Sequence, residues 1–199
     1  MARLYERPLR EGVRWGPMAD RTGRWVHLDD RRPWQHPAMN HEELRAAFTE
    51  LGAADPEEWA ASQTEEDINQ LGRFLFLKGG WQAVVDDDDT SWIDRLVVET
   101  PEDRVQPFDG IAHALRNLLA AGADPNDLNQ LVRGMQADAL FQFCYLLDDS
   151  SVVDGNTYQD WGLFEVDEDG QPLAPIDGLH ESVLETDPTG REMRPRTIP

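Results

Sequence analysis

The sequence predicts an α+β fold that is predominantly helical, with central helices and short N- and C-terminal strands or hairpins. Three observations lead there. Apolar residues recur at helical spacing through most of residues 40–147, the pattern of helices that bury one stripe. The punctuation between these runs is that of helix ends: Asn40, Asp55 and Asp124 as caps, Pro56 and Pro125 at first helical positions, Gly52 and Gly122 as stops. At both flanks, around 12–28 and 161–170, aromatic and β-branched residues stand beside clusters of turn formers.

Residues 12–28 read as a hairpin or two short strands. Val13-Arg14-Trp15 and Arg24-Trp25-Val26-His27-Leu28 flank the turn-forming stretch Gly16–Gly23. Arg32-Pro33-Trp34-Gln35-His36-Pro37 is poor helix material, because proline lacks an N–H and restricts the residue before it. Asn40 then caps a helix whose first turn holds Glu42 and Glu43, where the dipole favours carboxylates; Leu44, Ala47, Phe48 and Leu51 face inward until Gly52. Asp55-Pro56-Glu57-Glu58 starts a second helix. Thr64-Glu65-Glu66-Asp67 is expected to open a third, with Ile68, Leu71, Leu75 and Phe76 inward until Gly79-Gly80. Residues 81–85 and 90–98 are compatible with helix or strand.

Phe108 to Ala121 predicts a helix with Ile111, Leu115, Leu118 and Leu119 as its stripe. The next is expected from Asn126 to Leu147, through Leu128, Leu131, Val132, Met135, Leu140, Phe141 and Phe143, with Gly134 a place to bend. After a polar stretch, Trp161–Val166 reads as a strand and Asp167–Gly170 as its turn. A short helix around 178–185 precedes an arginine- and proline-containing tail, expected to be extended or loosely docked.

A chain of 199 residues is long enough for one domain with an extended arm. Its 40% apolar content and seven tryptophans supply a core despite the charge. Cys144 is the single cysteine, so no intramolecular disulfide forms. Within Phe141–Leu147 it reads as a small buried hydrophobe. Residues 1–7 lack the apolar stretch of a secretory signal, and no window reaches the roughly 18 apolar residues of a membrane helix. A cytoplasmic location and no membrane contact are the expectation.

Charge divides the chain into a basic Arg/Trp-rich arm (1–34), an acidic and mainly helical domain (35–189) and a tail (190–199). The arm carries 8 arginines against 5 acids, whereas residues 35–189 carry 33 acids against 7 bases. Such a body repels nucleic acid and lipid headgroups and attracts basic partners. The bland alternative is adaptation to salt: only one of 18 basic residues, Lys78, is a lysine, and screening at high ionic strength tolerates self-repulsion.

The motifs that carry chemistry are missing. There is no Gly-x-Ser-x-Gly, phosphate-binding loop or dinucleotide fingerprint. Asp86-Asp87-Asp88-Asp89 point in different directions and read as a solvated loop. Glu165–Gly170 starts like a calcium loop but reaches Ile176 where a bidentate glutamate is required. None of His27, His36, His41, His113 and His180 lies at zinc-ligand spacing; His113 and His180 are the candidate general bases. No catalytic residue, metal or cofactor is assigned.

The candidate partner-binding residues are Arg14, Trp15, Arg24, Trp25 and Trp34, because arginine and tryptophan dominate interface hot spots. They are expected to hold the chain's own acidic body, a second copy or another protein. The function expected is that of a non-enzymatic, acidic interaction protein, such as an immunity or inhibitor protein covering a basic partner. The alternatives are a small hydrolase with an Asp/Glu/His site assembled from distant segments, and a structural subunit of an assembly.

Overall fold

The computed structural model describes residues 39–66, 68–149 and 161–195 in full, and the backbone of residues 18–19 and 25–26. The chain divides into two units, residues 1–37 and 38–199. In the first, β1 (Met18–Ala19) pairs antiparallel with β2 (Trp25–Val26), with Met18 opposite Val26 and Ala19 opposite Trp25. Met18 and Ala19, expected in the turn, form a strand, and residues 13–15 lie outside the described residues.

The second unit runs α1 (His41–Leu51), α2 (Pro56–Glu66), α3 (Gln70–Trp81), α4 (Ser91–Glu99), α5 (Asp109–Ala120), α6 (Pro125–Asp148), β3 (Leu163–Val166), β4 (Pro172–Ile176) and α7 (Leu179–Ser182). This is the predominantly helical α+β class the sequence predicts. Local chemistry sets most boundaries. Asn40 and Glu43 form a reciprocal capping box, with Oδ1 accepting from the Glu43 N–H at 3.1 Å and the Glu43 carboxylate from the Asn40 N–H at 2.9 Å. Gly52 closes α1 at φ +83°, a left-handed conformation that costs glycine nothing.

The third helix starts later than expected. Thr64 does not cap: its hydroxyl donates back to the Ala60 and Ala61 carbonyls, so residues 64–66 complete α2. Asn69 caps α3 instead, accepting from the Gly72 N–H at 3.0 Å. The buried stripe is then Phe74, Leu77 and Trp81, while Leu75 faces outward. Residues 81–85 finish α3 and turn, and residues 91–99 are helix. Along α5 and α6, Leu115, Leu128, Ala137 and Cys144 are buried, whereas Ile111, Leu118, Leu131, Met135 and Phe143 are exposed. Gly134 lies inside an unbroken α6.

β4 completes the C-terminal hairpin the sequence expects, although Pro172 and Pro175 cannot donate to a ladder. In a two-stranded ribbon each strand has an unpaired edge where proline is tolerated. Asp167 Oδ1 accepts from the Asp169 and Gln171 N–H groups and fixes the connecting turn.

Among the described residues the apolar interior forms three clusters. Leu44, Phe48, Trp59, Ala60 and Phe74 join α1, α2 and the start of α3. Leu77, Trp81, Val84, Ala137, Cys144, Leu179 and Val183 join α3, α6 and α7, and Met193 packs against them. Trp92, Ile93, Leu115 and Leu128 join α4, α5 and α6. Polar residues on α6 tie the loops down. Asn129 donates to the Asp86 and Asp87 carbonyls and accepts from the Trp92 indole at 2.7 Å. Arg133 donates to the Val85 carbonyl and the Asp187 carboxylate, both at 2.7 Å, with its guanidinium 5.3 Å above the Trp81 ring. Asp87 pairs with Arg191 at 2.5 Å and stands 3.7 Å from Arg133, so this one aspartate holds the C-terminal segment, while Asp86, Asp88 and Asp89 are exposed in the loop the sequence predicts.

Candidate functional site

The α1–α2 hairpin concentrates acid. Glu42, Glu43, Glu50, Asp55, Glu57, Glu58, Glu65 and Glu66 are all exposed, against one arginine, Arg45. The amphipathic sequence dictates this: Phe48, Trp59 and Phe74 pack as a trio with ring centroids 5.2–5.7 Å apart, and the carboxylates fall on the opposite faces. Arg45 bonds Glu42 at 2.6 Å, and His41 bonds Glu57 at 2.8 Å. At exposed positions such pairs leave the hairpin's acidity largely in place.

A cleft of about 150 Å³ opens beside this hairpin, lined by Glu58, Trp59 and Ser62 of α2, Gln70 and Arg73 of α3, and Ser182 and Glu185 at α7. Its floor is buried. Gln70 Nε2 donates to Ser62 Oγ at 2.8 Å, and Ser62 Oγ donates to Glu66 at 3.0 Å. Because the Ser62 hydroxyl spends its proton on Glu66, it must accept from Gln70, and this fixes the amide with Nε2 toward Ser62. Gln70 Oε1 is buried and has no donor among the described residues. Arg73 is committed elsewhere, with Nε donating to the Asp177 carbonyl at 2.7 Å and Nη2 lying 3.7 Å from the Asp177 carboxylate. Its guanidinium packs against Gly178, at φ +63°, so closely that a Cβ there would collide with it. At the mouth, burial pushes the Glu185 carboxyl above its ordinary value and the Glu58 charge adds to this, while the Trp59 indole and Arg73 pull the other way. The cleft can bind groups that donate hydrogen bonds; among the described residues no histidine or cysteine lines it.

The candidate bases lie apart from the cleft. His180 Nδ1 is 2.6 Å from Asp148 Oδ2, which also accepts the His180 main-chain N–H at 2.9 Å. The ring stands edge-on to Tyr145 and Phe141, and the pair joins the end of α6 to the start of α7. One turn earlier, the buried Cys144 thiol is pushed up to about 11 by burial and then by the Asp148 charge, which leaves it protonated at neutral pH. His113 Nε2 lies 3.2 Å from the Arg104 carbonyl. Among the described residues no three His, Cys, Asp or Glu side chains gather in a group that could hold a metal ion. None of the described helices is long and apolar enough to cross a membrane.

Of the sequence-derived partner-binding residues, Trp25 stands in β2, and Arg14, Trp15, Arg24 and Trp34 lie outside the described residues. The cleft residues Gln70, Arg73 and Glu185 were not found from sequence. They are far apart along the chain and share no motif; the acidic first turn of α2 and the Gly178 turn were the only local signals. No family model, curated protein or solved structure matches the chain. Geometry therefore carries the functional reading.

Proposed function

We propose that the protein is a non-enzymatic, acidic interaction protein that covers a basic protein partner, in the manner of an immunity or inhibitor protein. The observation that carries this reading is the concentration of eight exposed carboxylates against one arginine on a single hairpin. Salt adaptation alone spreads acid over a surface; a hairpin of one sign focuses the field and speeds encounter with a cationic surface. Arg14, Trp15, Arg24, Trp25 and Trp34 form a second contact set, toward that partner or a second copy.

The test is capture from the native host with identification of the bound protein. A basic partner retained by wild type should be lost when Glu50, Glu58 and Glu65 are changed to lysine, and kept when Asp167 and Asp169 are changed instead. Equal retention by both variants refutes the assignment of the face. A hydrolase reading has one observation in its favour, the Asp148–His180 pair, whose geometry suits an oriented base. It requires His180→Ala to abolish turnover of an ester or amide panel while the fold persists.

A further inference from the structure

We infer that the cleft between α2, α3 and α7 is the socket for one arginine side chain of the basic partner, an inference that rests on the docking reading above and narrows it to a chemical group. The first support is the unanswered acceptor. Gln70 is only 6% exposed, its amide is oriented by the Ser62–Glu66 relay, and Oε1 has no donor among the described residues. A buried acceptor left unpaired is costly, so a donor arriving with a partner gains more there than at a solvated carboxylate.

The second support is the placement of charge. Glu58 and Glu185 line the same cleft with exposed carboxylates, the Glu185 one bonded by the Trp59 indole on the cleft wall, so an entering cation meets two acids beside the unanswered acceptor. The cation already present, Arg73, is turned to Asp177 and Ser182 and leaves Gln70 Oε1 unserved. Size agrees as well: about 150 Å³ is room for a group as large as benzene, which accommodates a guanidinium and part of its stem. A guanidinium is favoured over an ammonium because its five donors form a planar fork that reaches acceptors on separate walls. It also loses less hydration on entry.

The experiment is a ¹H–¹⁵N NMR titration of the full chain with N-acetyl-argininamide, N-acetyl-lysinamide and an arginine-rich peptide. The Trp59 indole and Gln70 side-chain amide serve as reporters. The arginine derivative should bind saturably, with a dissociation constant on the order of millimolar, and shift both reporters more than the lysine derivative does. Glu185→Gln, at an exposed position, should weaken it by about tenfold or more, whereas Asp169→Asn, exposed on the β3–β4 turn, should leave it unchanged. Equal, unsaturated shifts from both derivatives across α1–α2, insensitive to Glu185→Gln, overturn the socket and leave the docking face standing. If the arginine-rich peptide also leaves α1–α2 unshifted, both readings fall.

Discussion

Replacing Asp187 by asparagine removes the charge from a fully enclosed carboxylate while keeping its shape. The Asp187 side chain is 0% exposed and that of Arg133 is 3% exposed. Oδ1 accepts from Arg133 at 2.7 Å and the Thr189 N–H at 3.1 Å; Oδ2 accepts from the Thr189 hydroxyl at 2.7 Å and the Met193 N–H at 3.0 Å. An amide keeps one acceptor edge and turns a donor toward the other, so at least one main-chain N–H loses its partner. Breaking a buried pair costs about 3–5 kcal/mol. Arg133 retains the Val85 carbonyl and stays 3.7 Å from Asp87, which places the expected loss near the lower bound, about 3 kcal/mol. For a chain of this length that lowers the melting midpoint by about 6–12 °C. Urea unfolding followed by circular dichroism should show the lower midpoint with an unchanged slope. Adding Arg133→Met should recover part of the loss, since the uncompensated charge leaves with it.

The pH dependence gives a second check on the same variant. Burial pushes the Asp187 carboxyl up, but the Met193 and Thr189 hydrogen bonds and the Arg133 charge outweigh it and hold it below its ordinary value. Its stabilisation is therefore present above the unfolded value of about 4 and is lost as pH falls through the folded one. The gap between wild type and Asp187→Asn should narrow on acidification. A loss under about 1 kcal/mol at neutral pH, or a gap that widens in acid, refutes the reasoning.

With 33 acids against 7 bases over residues 35–189, the melting midpoint should rise between low and molar NaCl as repulsion is screened; a flat or falling midpoint removes that argument. Cys144 should resist thiol reagents in the native state. Because its thiol is raised to about 11, stability should fall as pH climbs from the unfolded value toward that figure, a dependence that Cys144→Ala should lack; rapid labelling of the native protein counts against burial. Deleting residues 1–34 should lower the melting midpoint or the solution mass, more than changing Arg3, Arg7 and Arg10 to serine does. Identical values mean the arm is not docked.

The sequence made legible what local chemistry decides. Asn40, Gly52 and Asp124-Pro125 mark helix ends because caps act on their own turn. Side-chain direction was less legible. Arg73, Asn129 and Arg133 are buried, while Leu75, Leu131, Met135 and Phe143 are exposed. A polar residue is tolerated inside only because a distant segment supplies its partner, as Asp187 does for Arg133 across 54 positions. The Asp167–Gly170 turn announced the C-terminal hairpin, whereas the cleft was hidden by its assembly from residues 58, 70 and 185, which no periodic pattern connects.

The division of the interior into three clusters has a consequence for local opening. The α1–α2 hairpin is seated on a cluster reached by α3 through Phe74 and Leu71, whereas one turn later Leu77 already belongs to the cluster shared with α6 and α7. The hairpin can therefore lift as its own cooperative unit, at a free energy below that of global unfolding. Its amides should exchange with deuterium earlier than those flanking Leu77 or Ala137. A partner seated on the acidic face would then slow exchange in α1 and α2 while leaving α5 at its native rate. Occupancy could be read from one hairpin, against the rest of the same chain as an internal standard.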